Sequence, residues 1–192
     1  MSARAGMSTL ITRLRSMCEA GTADYTLAGV AHWSDDQLQQ TLDDNREEIT
    51  HFALSNRVEY GSGGSATYKD YFYPFKDLEE STSGTAAFDV EDSTGASAGT
   101  ADFAINYDAS HIRFNSDTEG ATYYLTGRSY NIKRAAAQVW ERKAAHYVNA
   151  YDFAADGARF DRSQMHAHAL KMSEHYRGSS GIKISTLIRE EN

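Results

Sequence analysis

The residues with the clearest capacity for chemistry are the histidines, seven in all, three of them close together in "MHAHALKMSEH", residues 165–175. On a helix His168 and His175 share a face but stand two turns, about 10 Å, apart, while His166 points to the opposite side. Bonds of about 2 Å to a single zinc ion do not span that separation, so no intrachain metal site is expected. "YGSGGSATY" is glycine-rich, yet it lacks the lysine and the following helix of a phosphate-binding loop. Its strand-like flanks make it a hairpin turn. "DVEDSTG" gathers Asp89, Glu91 and Asp92 without the spacing of a calcium loop. Neither Gly-x-Ser-x-Gly nor His-Glu-x-x-His occurs. Carboxylates are plentiful, but sequence alone does not separate a catalytic pair from a solvated acidic face. The expectation is no catalytic residue, no metal and no cofactor. A tyrosine-rich β-surface that binds sugars or proteins stays open.

The elements that would position any site are of two kinds. "IKRAAAQVWERKAAHYVNAYDF", residues 132–153, is the longest strongly helical run. At 100° per residue its apolar side chains, among them Ile132, Val139, Trp140, Tyr147 and Tyr151, cover well over half the circumference. Arg134, Gln138, Glu141, Arg142 and Asn149 crowd into the rest. A surface helix needs an apolar stripe only a little over 100° wide. Either this helix is the centre of its domain, or one face packs inside the subunit and the other meets a second subunit. "WSDDQLQQTLDDNREEI" is its opposite. It opens with a capping box, Ser34 and Gln37, and carries a narrow stripe of Leu38, Leu42 and Ile49, which predicts an outer helix. Further helices are expected from Ser8 to about Gly21, holding Cys18 as a small buried residue, and from about Ser163 to Tyr176. "TADYTLAGVAH" between the first two helices reads as a loop.

Between about 51 and 131 the period changes to alternation. "HFALSNRVEY", "ATYKDYFYPF", "AAFDVED", "DFAINY", "HIRF" and "ATYYLTGRSY" are short runs rich in β-branched or aromatic residues, separated by segments with turn chemistry. Pro74 ends its strand or places it at an edge. The fold class expected is α+β, a helical bundle domain interrupted by an inserted antiparallel β-sheet or sandwich unit and followed by an extended arm. Residues 1–50 and 131–178 form the two parts of the helical domain, 51–130 the β-domain and 179–192 the C-terminal arm.

Composition narrows the partners. The chain has 192 residues, 41% hydrophobic and 24% charged, with a formal net charge of -8, values of an ordinary globular protein rather than a general nucleic-acid or anionic-membrane binder. Residues 1–127 hold 8 basic and 20 acidic side chains, whereas 128–192 hold 11 and 7, a split of the kind produced by two different partner surfaces. One cysteine allows no intrachain disulfide. No apolar run approaches membrane-spanning length and the first residues lack a signal-peptide core, so synthesis in a cytoplasm is expected.

The order of these elements resembles the head–tail adaptor, or connector, proteins of tailed bacteriophages. The resembling residues are "WSDDQLQQTLDDN", "YKDYFYPFKDLE", "FDVEDSTG", "YDASHIRF" and "YNIKRAAAQVWERKAAHYVNAYDFAADGARFDRSQ", together spanning about 8–178. The resemblance implies a non-enzymatic virion protein made in the host cytoplasm. It would form a ring, usually twelvefold, beneath the portal at the head–tail junction, carry the downstream neck or tail protein and continue the channel for DNA ejection. DNA would pass through the lumen without sequence-specific binding. Alternatives are another neck or tail component, such as a stopper or tail-completion protein, and a virion carbohydrate-binding module or hydrolase built on the β-unit.

The last residues suit such a partner. Gly178 to Gly181 make a flexible joint, after which Ile182 and Ile184 share one face of an extended strand, with Leu187 and Ile188 beyond them. Four large aliphatics on a segment with no core of its own are an aggregation liability unless covered. Strand addition to the portal would cover them; folding back on the subunit or on a ring neighbour is the other way.

Overall fold

The computed structural model describes residues 3–61, 63–82, 86–148, 153–155, 158–160 and 162–179. A single 3-10 turn, Ala5–Met7, leads directly into α1, Ser8–Met17. Ser8 is the first helical residue, and Leu10, Ile11 and Leu14 bury one face. Cys18 follows, fully buried. The stretch read as a loop is a small hairpin of β1, Tyr25–Leu27, and β2, Val30–His32, with Leu27 opposite Val30. Ala28 and Gly29 between them both take positive φ, 49° and 80°, the backbone of a two-residue turn whose twist matches that of the strands.

The capping box forms as the sequence requires. The Ser34 hydroxyl accepts from the Gln37 amide, and the Gln37 side chain accepts from the Ser34 amide. Helix α2, Asp35–Asp43, follows. It stops well short of Ile49, because Asn45 folds its buried side-chain amide back onto the Thr41 carbonyl. The chain then enters β3, Arg46–Ala53. Ile49 is buried from a strand, not from a helix; a spacing of seven after Leu42 fits either element.

The strands beyond are β4, Ser55–Tyr60; β5, Ala66–Phe72; β6, Asp89–Asp92; β7, Phe103–Asn106; β8, His111–Phe114; and β9, Tyr123–Tyr130. Each falls within a run of alternation seen in the sequence, and β5 ends before Pro74. They make two antiparallel sheets, ordered β3-β9-β6 and β4-β5-β8-β7. Their inner faces share one core, with Ile49, Val90 and Leu125 from the first sheet and Tyr71, Ile112 and Phe114 from the second. Tyr123 meets Tyr71 and Phe114 edge-on or tilted, at 5.4 and 4.4 Å between ring centroids. This is a β-sandwich in which period-two patterning sends alternate residues inward. The long outer strand β3 carries a register shift, which interrupts an edge that would otherwise invite pairing.

The N-terminal segment is fastened to these elements by charge. Arg4 makes a bidentate pair with Asp43 of α2 and reaches Glu79. The buried Glu79 carboxylate also takes Arg128 at 3.2 Å and the Tyr130 hydroxyl at 2.6 Å. Burial and then the adjoining Glu79 push the Tyr130 phenol well above its ordinary range.

Helix α3 spans Ile132–Tyr147. It is shorter than the run to 153, because Phe153–Ala155 is strand β10, paired with β11, Ala158–Phe160. Helix α4, Arg162–Ser179, completes the described chain. The architecture is α+β. Two compact units divide it, Met1–Ile132 and Lys133–Asn192, so α1 and α2 share a unit with the sandwich.

Candidate binding surfaces

On α3, Ile132, Ala135, Ala136, Val139, Trp140 and Ala144 are buried, and Tyr147 is half-buried. Lys143 is buried as well, its ammonium 5.1 Å from the centre of the Trp140 ring, an arrangement in which stem and charge both favour the aromatic face. Arg134 and Arg142 are exposed, as the helical wheel requires. Tyr151 and the arm residues Ile182, Ile184, Leu187 and Ile188 lie outside the described residues.

Helices α3 and α4 run antiparallel. Lys133 Nζ donates to the Ser179 carbonyl at 3.2 Å, Ser173 Oγ to Glu141 at 3.2 Å, and Arg177 pairs with Glu141. His168 stands edge-on to Trp140 at 5.6 Å. The buried stripe of α4 centres on Ala169 and Ser173, flanked by half-buried Met172 and Tyr176, while Met165 is exposed. Val148, at 60% exposure, and Leu170 also remain uncovered. Among the described residues no three His, Cys, Asp or Glu side chains converge as a metal site, and no helix is long and apolar enough to cross a membrane.

The glycine-rich and acidic motifs resolve into turns. Gly64 donates to the Gly61 carbonyl between β4 and β5. Asp92 accepts from the Thr94 amide and hydroxyl and from the Ala96 amide. Asp117 accepts from the amides of Tyr68 and Glu119. These hydrogen bonds hold both Asp92 and Asp117 below the usual carboxylate range.

A second constellation was not singled out in the sequence. On the outward face of the four-stranded sheet, cross-strand pairing sets Asp70 opposite Arg113 and Phe72 opposite His111. Arg113 Nη1 donates to both oxygens of Asp70, at 2.9 and 2.8 Å, and the guanidinium reaches Glu59 of β4 at 3.2 Å. His111 Nε2 lies 2.7 Å from Asp70 Oδ1, and its ring stacks on Phe72 at 4.8 Å. Burial pushes the Asp70 carboxyl up, but the His111 hydrogen bond and the Arg113 charge outweigh it and hold it below its ordinary value. With Arg57, Val58 and Tyr60 these residues line an open groove of about 630 Å³. Alternation in "KDYF" and "HIRF" already put Asp70, Phe72, His111 and Arg113 on the faces opposite Tyr71, Ile112 and Phe114. What the sequence lacked was the pairing of β5 with β8, some forty residues apart.

In comparisons with protein-family models, with curated proteins and with solved structures, nothing matches the chain.

Proposed function

We propose that this chain is a structural protein of a phage or phage-derived particle, a head–tail adaptor that forms a ring beneath the portal and continues the DNA channel. The reading rests on the sequence resemblance. One structural observation supports it: the α3–α4 pair buries a broad face through Val139, Trp140 and Ala169 yet leaves Val148, Met165 and Leu170 exposed. Exposed aliphatics on a two-helix surface suit a neighbouring subunit, and a head-to-tail contact repeated around an axis closes a ring. In this reading the helices form the bundle-like body of the adaptor and the arm of residues 179–192 reaches the portal through Ile182, Ile184, Leu187 and Ile188. The acidic balance of residues 1–127 suits a conduit that repels DNA rather than holding it.

A chain ending at Ser179 tests the arm. It is expected to fold and stay soluble but fail to load onto portal-bearing heads. Loading equal to the full chain would remove the arm from the account. Position on the particle separates an adaptor from a stopper or a tail-completion protein.

A further inference from the structure

The groove over β4, β5 and β8 is occupied by groups of both signs held in fixed geometry. Arg113 is clamped between Asp70 and Glu59, and His111 is held by Asp70 on one side and the Phe72 ring on the other. Asp70 is almost wholly buried, so the array is anchored from beneath rather than assembled from mobile surface side chains. At the groove's edge, Tyr60 is 73% exposed. Among the described residues Arg57, also exposed, has no ion-pair partner.

The charges of the groove decide the kind of ligand. Two guanidiniums, Arg57 and Arg113, face two carboxylates, Glu59 and Asp70, so these four charges balance. A phosphate attracted by the guanidiniums would be repelled by the carboxylates, and an ammonium would meet the reverse. A hydroxyl-bearing ligand meets no such conflict, because each hydroxyl both donates and accepts: it can give its proton to Glu59 and take one from Arg57 or Arg113. An exposed tyrosine ring adds a flat apolar platform with a polar tip. The amides and carbonyls of the central strands are already paired within the sheet, so recognition there is by side chains. The volume is that of a small-ligand site.

We propose that this groove is a binding site for a neutral oligosaccharide, with the Tyr60 ring stacking on a sugar face and Arg57, Glu59 and Arg113 reading its hydroxyls. The site is independent of ring assembly and does not rest on the adaptor reading.

The test uses the full chain on a printed array of neutral gluco-, galacto-, manno- and N-acetylhexosamine oligomers, beside sialylated and sulfated counterparts. Retention on at least one neutral oligomer is expected. Tyr60→Ala should weaken that binding by about tenfold, the loss of one ring contact, while Tyr60→Phe keeps it. Arg57→Ser should also weaken it. Both replaced side chains are exposed, and unchanged circular dichroism would show the fold intact. No retention on any neutral oligomer, retention confined to the anionic glycans, or wild-type binding by Tyr60→Ala would each overturn the proposal.

Discussion

The sandwich and the α3–α4 pair bury apolar surface in different ways. In the sandwich, alternation divides each strand cleanly: Tyr71, Ile112 and Phe114 turn inward while Asp70, Arg113 and His111 turn outward. Two facing sheets then cover each other's apolar sides. A helix pair has no such symmetry. The broad arc of α3 combines four buried alanines with one tryptophan, and Val148, Met165 and Leu170 stay exposed. The sheets close a core on themselves, whereas the helical unit leaves large aliphatic side chains exposed. The β-hairpin tip, with Leu27 and Val30 exposed, shows that the first unit is not wholly closed either.

The sharpest way to break this contrast is at the shared core of the two sheets. Tyr71 is fully buried, and its hydroxyl donates to the Ala121 carbonyl at 2.6 Å. Tyr71→Ala should cost about 3–5 kcal/mol, the usual range for truncating a large buried aromatic, seen as a lower denaturation midpoint. A cost below about 1 kcal/mol would mean the sheets do not depend on a common core.

Next is the buried carboxylate that ties Arg4, Arg128 and Tyr130 together. Glu79→Ala should cost about 3 kcal/mol, because it leaves the buried Tyr130 hydroxyl and two half-buried guanidiniums without their acceptor. Chemical denaturation at neutral pH measures it, and an unchanged midpoint would reduce the network to surface decoration.

Acid probes the outer face of the four-stranded sheet. The folded Asp70 carboxyl sits below its unfolded value of 3.8, so its stabilisation is present above that pH and is lost as pH falls through the folded value. A wild-type chain should therefore lose stability on acidification below about pH 4. Asp70→Asn should flatten that part of the profile while lowering stability at neutral pH. An identical acid limb in the variant would assign the loss to other carboxylates.

Smaller still is the cap of α2. Ser34→Ala should cost about 1 kcal/mol, readable as a shift of the thermal midpoint. Smallest is Val148→Ser, one residue past the end of α3, expected to change the stability of the free chain by less than about 0.5 kcal/mol. If the exposed aliphatics form a subunit contact, the same change should weaken assembly. A large loss of stability in the free chain would instead make Val148 part of the fold.

Much of this was legible where a signal is local. The capping box of Ser34 and Gln37, the inward position of Val139 and Trp140, and the alternation of the strands follow from short-range patterns. Ile49 was misread because its distance from Leu42 suits a helix as well as a strand, and Asn45, which ends α2, acts through a side-chain bond that composition does not reveal. The two small hairpins were missed for a related reason: three-residue strands are too short for alternation to register. The turn of the first, Ala28-Gly29, was the available signal. The groove of Asp70, His111 and Arg113 required a register between distant strands, which no local pattern encodes.

Electron microscopy of portal-bearing heads incubated with the purified 192-residue chain tests whether it is a ring-forming adaptor. The account predicts a ring of added density at the portal vertex, coaxial with the channel. Unchanged vertices, or density bound elsewhere on the particle, would contradict it.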